Sequence, residues 1–227
     1  MNKAFTVIEL SIVLVIVGLL VSAILFGSDL VRNSEMTASI KEAQSYLSSI
    51  DAFKDAYTQL PGDFNRAHEF WDNACSTVAD DCNGDGNGLI SNNSSTDNNE
   101  AFRAWQHLHL SQFILGQYSG LGNNVLIGSN VPISELRGGS YMFDLIPTSN
   151  ENSIRLGVAN GQNNNSPALT VFEALSIDLK IDDGTPIAGN IRADNSTSST
   201  LCVDSGNYTD VSNEDIICVI NFIIPNN

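Results

Sequence analysis

Positive charge is scarce in this chain. Its 227 residues carry 10 Lys plus Arg against 26 Asp plus Glu, a formal charge of −16 at neutral pH. A nucleic-acid surface needs clustered cations to neutralise phosphates. Here the cations are scattered, so no nucleic-acid partner is expected, and the acidic surface implies solubility and little attraction to anionic lipid. Catalytic signatures are missing as well. There is no G-x-S-x-G, H-E-x-x-H or P-loop. His107 and His109 lie two apart on an expected helix and point to different faces, and His68 stands alone, so the three read as packing or surface residues. No enzyme is expected, and no cofactor is required. The chain also lacks the C-x-x-C spacing of a zinc site. Its four cysteines fall as two local pairs, Cys75 with Cys82 and Cys202 with Cys218, expected to be disulfides in an exported domain.

What the chain does have is a long apolar run at its start, from Phe5 to Phe26, preceded by one cation, Lys3. A run of this length spans a bilayer core of about 30 Å as a helix. A single carboxylate, Glu9, interrupts it, and an unpaired charge inside lipid is expensive enough to be read as functional. Ala4-Phe5-Thr6-Val7-Ile8-Glu9-Leu10 resembles the type IV prepilin signature. The resemblance implies cleavage by a prepilin peptidase between Ala4 and Phe5 and N-methylation of Phe5. It also implies an assembly role for Glu9, paired with the terminal amine of Phe5 on a neighbouring subunit. Ala4 stands where the family usually has Gly, and the kinking proline that many pilins carry near the end of the run is absent here. Two rival readings are a secretory signal cleaved after Val21-Ser22-Ala23 and a plain single-span anchor.

The expected organisation is a leader over 1–4, a transmembrane and assembly helix over 5–27, its amphipathic continuation over 28–60 and a globular head over 61–227. Met36, Ile40, Ala43, Leu47, Ile50, Phe53 and Tyr57 step by three and four, one face of a helix. Leu60-Pro61-Gly62-Asp63 ends it. In the head, the spacing predicts helices over 65–73 and 99–115 separated by a long loop over 74–99. Strands are expected at 125–127, 141–146 and 153–158. Thr170-x-x-Glu173 reads as a capping box opening a helix to Lys180, and 182–186 as a turn. Closing strands are expected at 201–203 and 216–224. The fold class is α+β, a helical spine on a mixed helix and antiparallel-sheet head, which resembles pilins.

The long loop holds the one segment with the look of ligand chemistry. Asp81, Asn83, Asp85 and Asn87 place oxygen donors at alternate positions, with Gly86 at the turn, as a hard cation such as Ca²⁺ requires. Position twelve is Asn92 instead of a bidentate Glu, so Asp97 or Glu100 would have to complete the shell. The competing reading is an exposed glycine-rich loop with solvated carboxylates.

Together these features point to a pilin or minor pilin of a type IV pilus-like filament. A type II secretion pseudopilin and an anchored partner-binding head are the alternatives. The implied partners are the prepilin peptidase and methylase, other subunits, and an inner-membrane assembly platform. The implied location is the bacterial inner membrane before assembly, with the head periplasmic or extracellular.

Overall fold

A computed structural model describes residues 6–92, 99–146, 149–195 and 201–225. The lead element, α1, is one 51-residue helix, Val7–Tyr57, about 76 Å long at 1.5 Å per residue. It runs unbroken through Gly27. Thr6 caps it, and Thr58 closes it in the left-handed conformation at φ 60°, three residues before Pro61 would have forced an end.

The two halves of α1 meet different surroundings. Every residue from Val7 to Ile24 is exposed, and this stretch is long and apolar enough to cross a membrane. Beyond Arg32 one stripe turns inward, and Met36, Ile40, Ala43, Ile50 and Phe53 are buried. Each of the larger of these side chains, removed from water, contributes roughly 1.5–3 kcal/mol, so the head is assembled on the spine's second half.

After α1 come α2 (Ala67–Trp71), a 3₁₀ turn (Asp72–Ala74), α3 (Ala79–Cys82) and α4 (Glu100–Leu110). The chain then forms β1 (Gly139–Ile146), β2 (Glu151–Asn160), β3 (Asn163–Ser166), α5 (Val171–Ile181), β4 (Ile191–Asn195), β5 (Val203–Asp204), β6 (Asn207–Tyr208) and β7 (Cys218–Ile223). The main sheet is antiparallel in the order β1-β2-β7-β4, with β3 also on β2, and β5 and β6 make a separate hairpin. The α+β class therefore holds. Helix α4 packs on β1 and α1, and α5 packs on β4, β7 and α1. The core between them is aromatic: Tyr46 sits edge-on to Trp105 at 4.9 Å and to Tyr141 at 5.2 Å, and Trp105 meets Phe143 at 4.7 Å.

Several expected bounds need correction. The helix expected over 99–115 stops at Leu110, because Gln112 takes a positive φ of 63° and the amides of Phe113 and Ile114 fold back on the Leu108 carbonyl. Residues 125–127 form no strand, only a single bridge from Ile127 to Val131. Within the expected loop over 74–99 sits α3, a single turn. Expected strand 201–203 is reduced to β5 from Val203, paired with β6 and not with the main sheet. Strands β3 and β4 were not expected. The first is built of Asn and Ser, residues poor in strand propensity, and it is held by Asn164, whose buried amide donates to the Ser140 and Arg155 carbonyls.

Candidate functional site

Two places carry chemistry: the N-terminal turn of α1 and the strapped acidic loop at the far end of the spine. Ala4 and Phe5 lie outside the described residues. Glu9 is described, and its Oε2 accepts from the Thr6 amide and hydroxyl, both at 2.8 Å, while the Glu9 amide donates to Thr6 Oγ1 at 3.3 Å. This is a capping box, which satisfies amide donors that the helix leaves free. Thr6-x-x-Glu9 is the sequence pattern of such a box, carried by the same carboxylate to which the prepilin resemblance gives an assembly role.

At the other end, Leu60, Pro61, Gly62, Asp63 and Phe64 are all buried beneath residues 82–90. Glycines allow the approach. A Cβ on Gly84 would stand 2.3 Å from the Gly62 carbonyl oxygen, and one on Gly62 would stand 2.4 Å from that of Glu100. The Gly84 amide donates to Phe64 O at 3.0 Å and the Gly86 amide to Asp63 O at 3.1 Å. From below, α4 presents Arg103 and His107, one turn apart. Arg103 donates to the carbonyls of Asp80 and Asn83. His107 Nδ1 accepts from the Gly62 amide and Nε2 faces the Cys82 carbonyl, both at 2.9 Å. Complete burial pushes the His107 ring down to about 3, so it is neutral. Cys75 and Cys82 are bonded, as are Cys202 and Cys218, the latter fastening the β5–β6 hairpin to the first residue of β7.

The structure regroups the oxygen donors. Asn83 Oδ1 accepts from the His68 amide at 2.9 Å. Asp85 accepts from the Asn87 amide and side-chain amide at 3.0 and 2.8 Å, and Asn87 Oδ1 accepts from the Leu89 amide at 2.7 Å. These local turns tie the single side-chain oxygens of Asn83 and Asn87 to the backbone, and Asp81 sits apart on α3. The carboxylates that do converge are Asp63, Asp85 and Glu100, with oxygens within 4.8 Å of one another. Asp97 lies outside the described residues. Glu100 accepts from the Asp85 amide at 3.1 Å and from the Ser91 amide and hydroxyl at 2.9 and 2.8 Å. Asp63 accepts from the amides of Asn87 and Gly88 at 2.9 and 3.0 Å. Burial, with the Glu100 charge beside it, nevertheless pushes the Asp63 carboxyl up to about 6. Sequence reasoning missed Asp63, which lies far up the chain at the helix-ending turn.

No family model, no curated protein and no solved structure matches this chain.

Proposed function

We propose that this chain is a pilin-like subunit, processed at Ala4–Phe5 and assembled through its N-terminal helix into a filament. The observation that carries the reading is the division of α1. Residues 7–24 are predominantly apolar and all exposed, and the second half is the backbone of the head's core. An apolar helix without a partner needs lipid or neighbouring helices. A continuous helix offers both in turn, first in the membrane and then in a bundle of identical spines. In this reading Glu9 exchanges its capping contact with Thr6 for the methylated amine of Phe5 on the next subunit. Prepilin peptidase, other subunits and an inner-membrane assembly platform are the partners. A type II secretion pseudopilin satisfies the same features. The test is to purify surface and periplasmic filaments and look for this chain in them by mass. Its absence from filaments, with the chain abundant in membranes, would favour an anchored binding head instead.

The head carries a second proposed property, Ca²⁺ binding at the acidic loop, with Asp63, Asp85 and Glu100 as ligands in place of the alternating series at 81–87. What favours it is the convergence of three carboxylates from three chain segments, a hard-oxygen set suited to calcium.

A further inference from the structure

We propose that the underside of the head is a membrane-contact surface, made for the headgroup boundary of a zwitterionic phospholipid bilayer. The inference rests on the reading of residues 5–26 as a membrane span. Arg32, which is bonded to the head, and Met36, which is buried in it, stand about 9 and 15 Å beyond Phe26 along the axis of α1. The polar layer on one side of a bilayer is about 5–8 Å thick. Arg32 stands just above that layer, but the head reaches down along α1 as far as Asp29 on one side and Gly27 on the other, about 5 and 2 Å beyond Phe26 and so within the headgroups.

That surface is mixed, with large exposed apolar side chains set among polar and charged ones. Two clefts of about 650 and 560 Å³ flank α1, one edged by Phe172 and Val211, the other by Val31 and Ile216. Phe172 is 59 % exposed, Ile216 52 % and Val211 45 %, and on the helix between span and head Leu30 is 72 % exposed. Phe172 is held rigidly outward. It stands in the first turn of α5, whose capping box fixes the helix start and whose neighbour Val171 is fully buried. Apolar and aromatic side chains at such a level partition into the boundary between headgroups and acyl chains.

The charges select the lipid. Arg137, beside Val31, is exposed and has no ion pair among the described residues, so its guanidinium is free for a lipid phosphate. Arg32 is not available, because Glu173 holds it at 2.6 Å and Glu35 stands 3.6 Å away. Asp29 and Glu214 line the Phe172 cleft, and the whole chain carries −16. An anionic surface is repelled by this set, whereas a zwitterionic one offers a phosphate to Arg137 and apolar depth to Phe172.

The test uses the full chain in phosphatidylcholine vesicles, with a mixture of lipids brominated near the headgroup end and near the midplane end of the acyl chains as tryptophan quenchers. Three variants report at different heights: Val17→Trp in the span, Phe172→Trp on the underside, and Leu115→Trp. Leu115 is 95 % exposed and lies two residues past Phe113, whose carbonyl is bonded to Ser49, well above Arg32 on α1. The emission added at Val17→Trp and Phe172→Trp is expected to fall about twofold while that added at Leu115→Trp is unchanged, as interfacial depth requires. Quenching at Val17→Trp without quenching at Phe172→Trp overturns the contact surface and leaves the span standing. Quenching at neither removes both. A Phe172→Trp emission that shifts blue with protein concentration and ignores the quencher shows that a second copy covers the face, which also overturns the proposal.

Discussion

The Gly62 amide donates to Nδ1 of His107 at 2.9 Å, so the ring proton must lie on Nε2, where the Cys82 carbonyl accepts it at the same distance. One neutral imidazole thus ties the turn that ends the spine to the loop closed by the first disulfide. A charged ring would put a second donor against the Gly62 amide, which explains why burial and bonding together keep it unprotonated.

That relationship predicts an acid limit for the head. The folded His107 stays neutral down to about pH 3, whereas the unfolded ring takes a proton near 6.5. Below that pH the unfolded state binds more protons, so this group's stability contribution is present above 6.5 and is lost as pH falls. The slope is at most about 1.4 kcal/mol per pH unit. Nitrogen-15 NMR of the His107 ring is expected to show the Nε2–H tautomer unchanged at pH 5. A protonated ring there would remove the account.

Asp63 acts with the opposite sign. Its carboxyl is raised from about 3.8 to about 6, so the folded state holds a proton that the unfolded chain releases. Stability from this group is present below about pH 4 and is lost as pH rises through 6. Asp63→Asn is expected to flatten that part of the profile, measured as melting temperature against pH at fixed ionic strength in chelator. A profile identical to wild type would show that the group ionises freely.

Calcium should act on the same residues. At about 100 Kd, a cation that binds only the folded head adds roughly 2.7 kcal/mol. Calorimetric melts in millimolar Ca²⁺ and in chelator measure the gain, which Asp85→Asn should erase. Equal melting temperatures for wild type in the two solutions would leave Asp63, Asp85 and Glu100 as a hydrogen-bonding cluster.

The spine and head are clasped by Arg32, whose guanidinium binds Glu173 at 2.6 and 2.9 Å and the Ala168 carbonyl at 3.0 Å. Glu173 also accepts from the Thr170 amide at 2.9 Å, closing the cap of α5. Arg32→Ala is expected to destabilise by about 1 kcal/mol. Glu173→Ala should lose about 2 kcal/mol, because it removes the cap contact as well. Chemical denaturation ranks the two, and equal losses would show that the cap contributes nothing.

Processing and assembly give the last test. Mass analysis of the mature chain is expected to find N-methylated Phe5 at the terminus. Glu9→Val should leave insertion and cleavage intact and reduce filament yield at least about tenfold, as loss of a charge pair in lipid implies. A terminus at Ile24 would instead establish secretory cleavage.

Much of this architecture could be read directly from residue spacing. The inward stripe of α1 from Met36 to Phe53 follows a helical period, because a half-buried helix must repeat every three or four residues. The Thr170–Glu173 cap is local, and so is the close spacing of each cysteine pair. What stayed hidden depends on contacts between distant segments. Asp63 joins Asp85 and Glu100 only because residues 60–64 are folded beneath the loop, and no local pattern encodes that. Strand β3 is invisible by composition, since its Asn-rich residues are placed by the register of β2 and by the amide of Asn164. Gln112 ends α4 through its backbone conformation while Ile114 remains buried, so the apolar pattern outlasts the helix.

The unbroken run of α1 from Val7 to Tyr57 has a mechanical consequence. There is no hinge between the exposed half and the half that forms the head's interior. Tension applied to the first turns passes along one ladder of hydrogen bonds to Arg32 and then to the buried stripe from Met36 to Phe53. From there it spreads by packing to α4 and the sheet, and the surface loops lie off that path. The head cannot swivel at a loose joint to relieve a pull, and it yields when the Arg32–Glu173 clasp breaks and the stripe from Met36 to Phe53 is drawn out of the core.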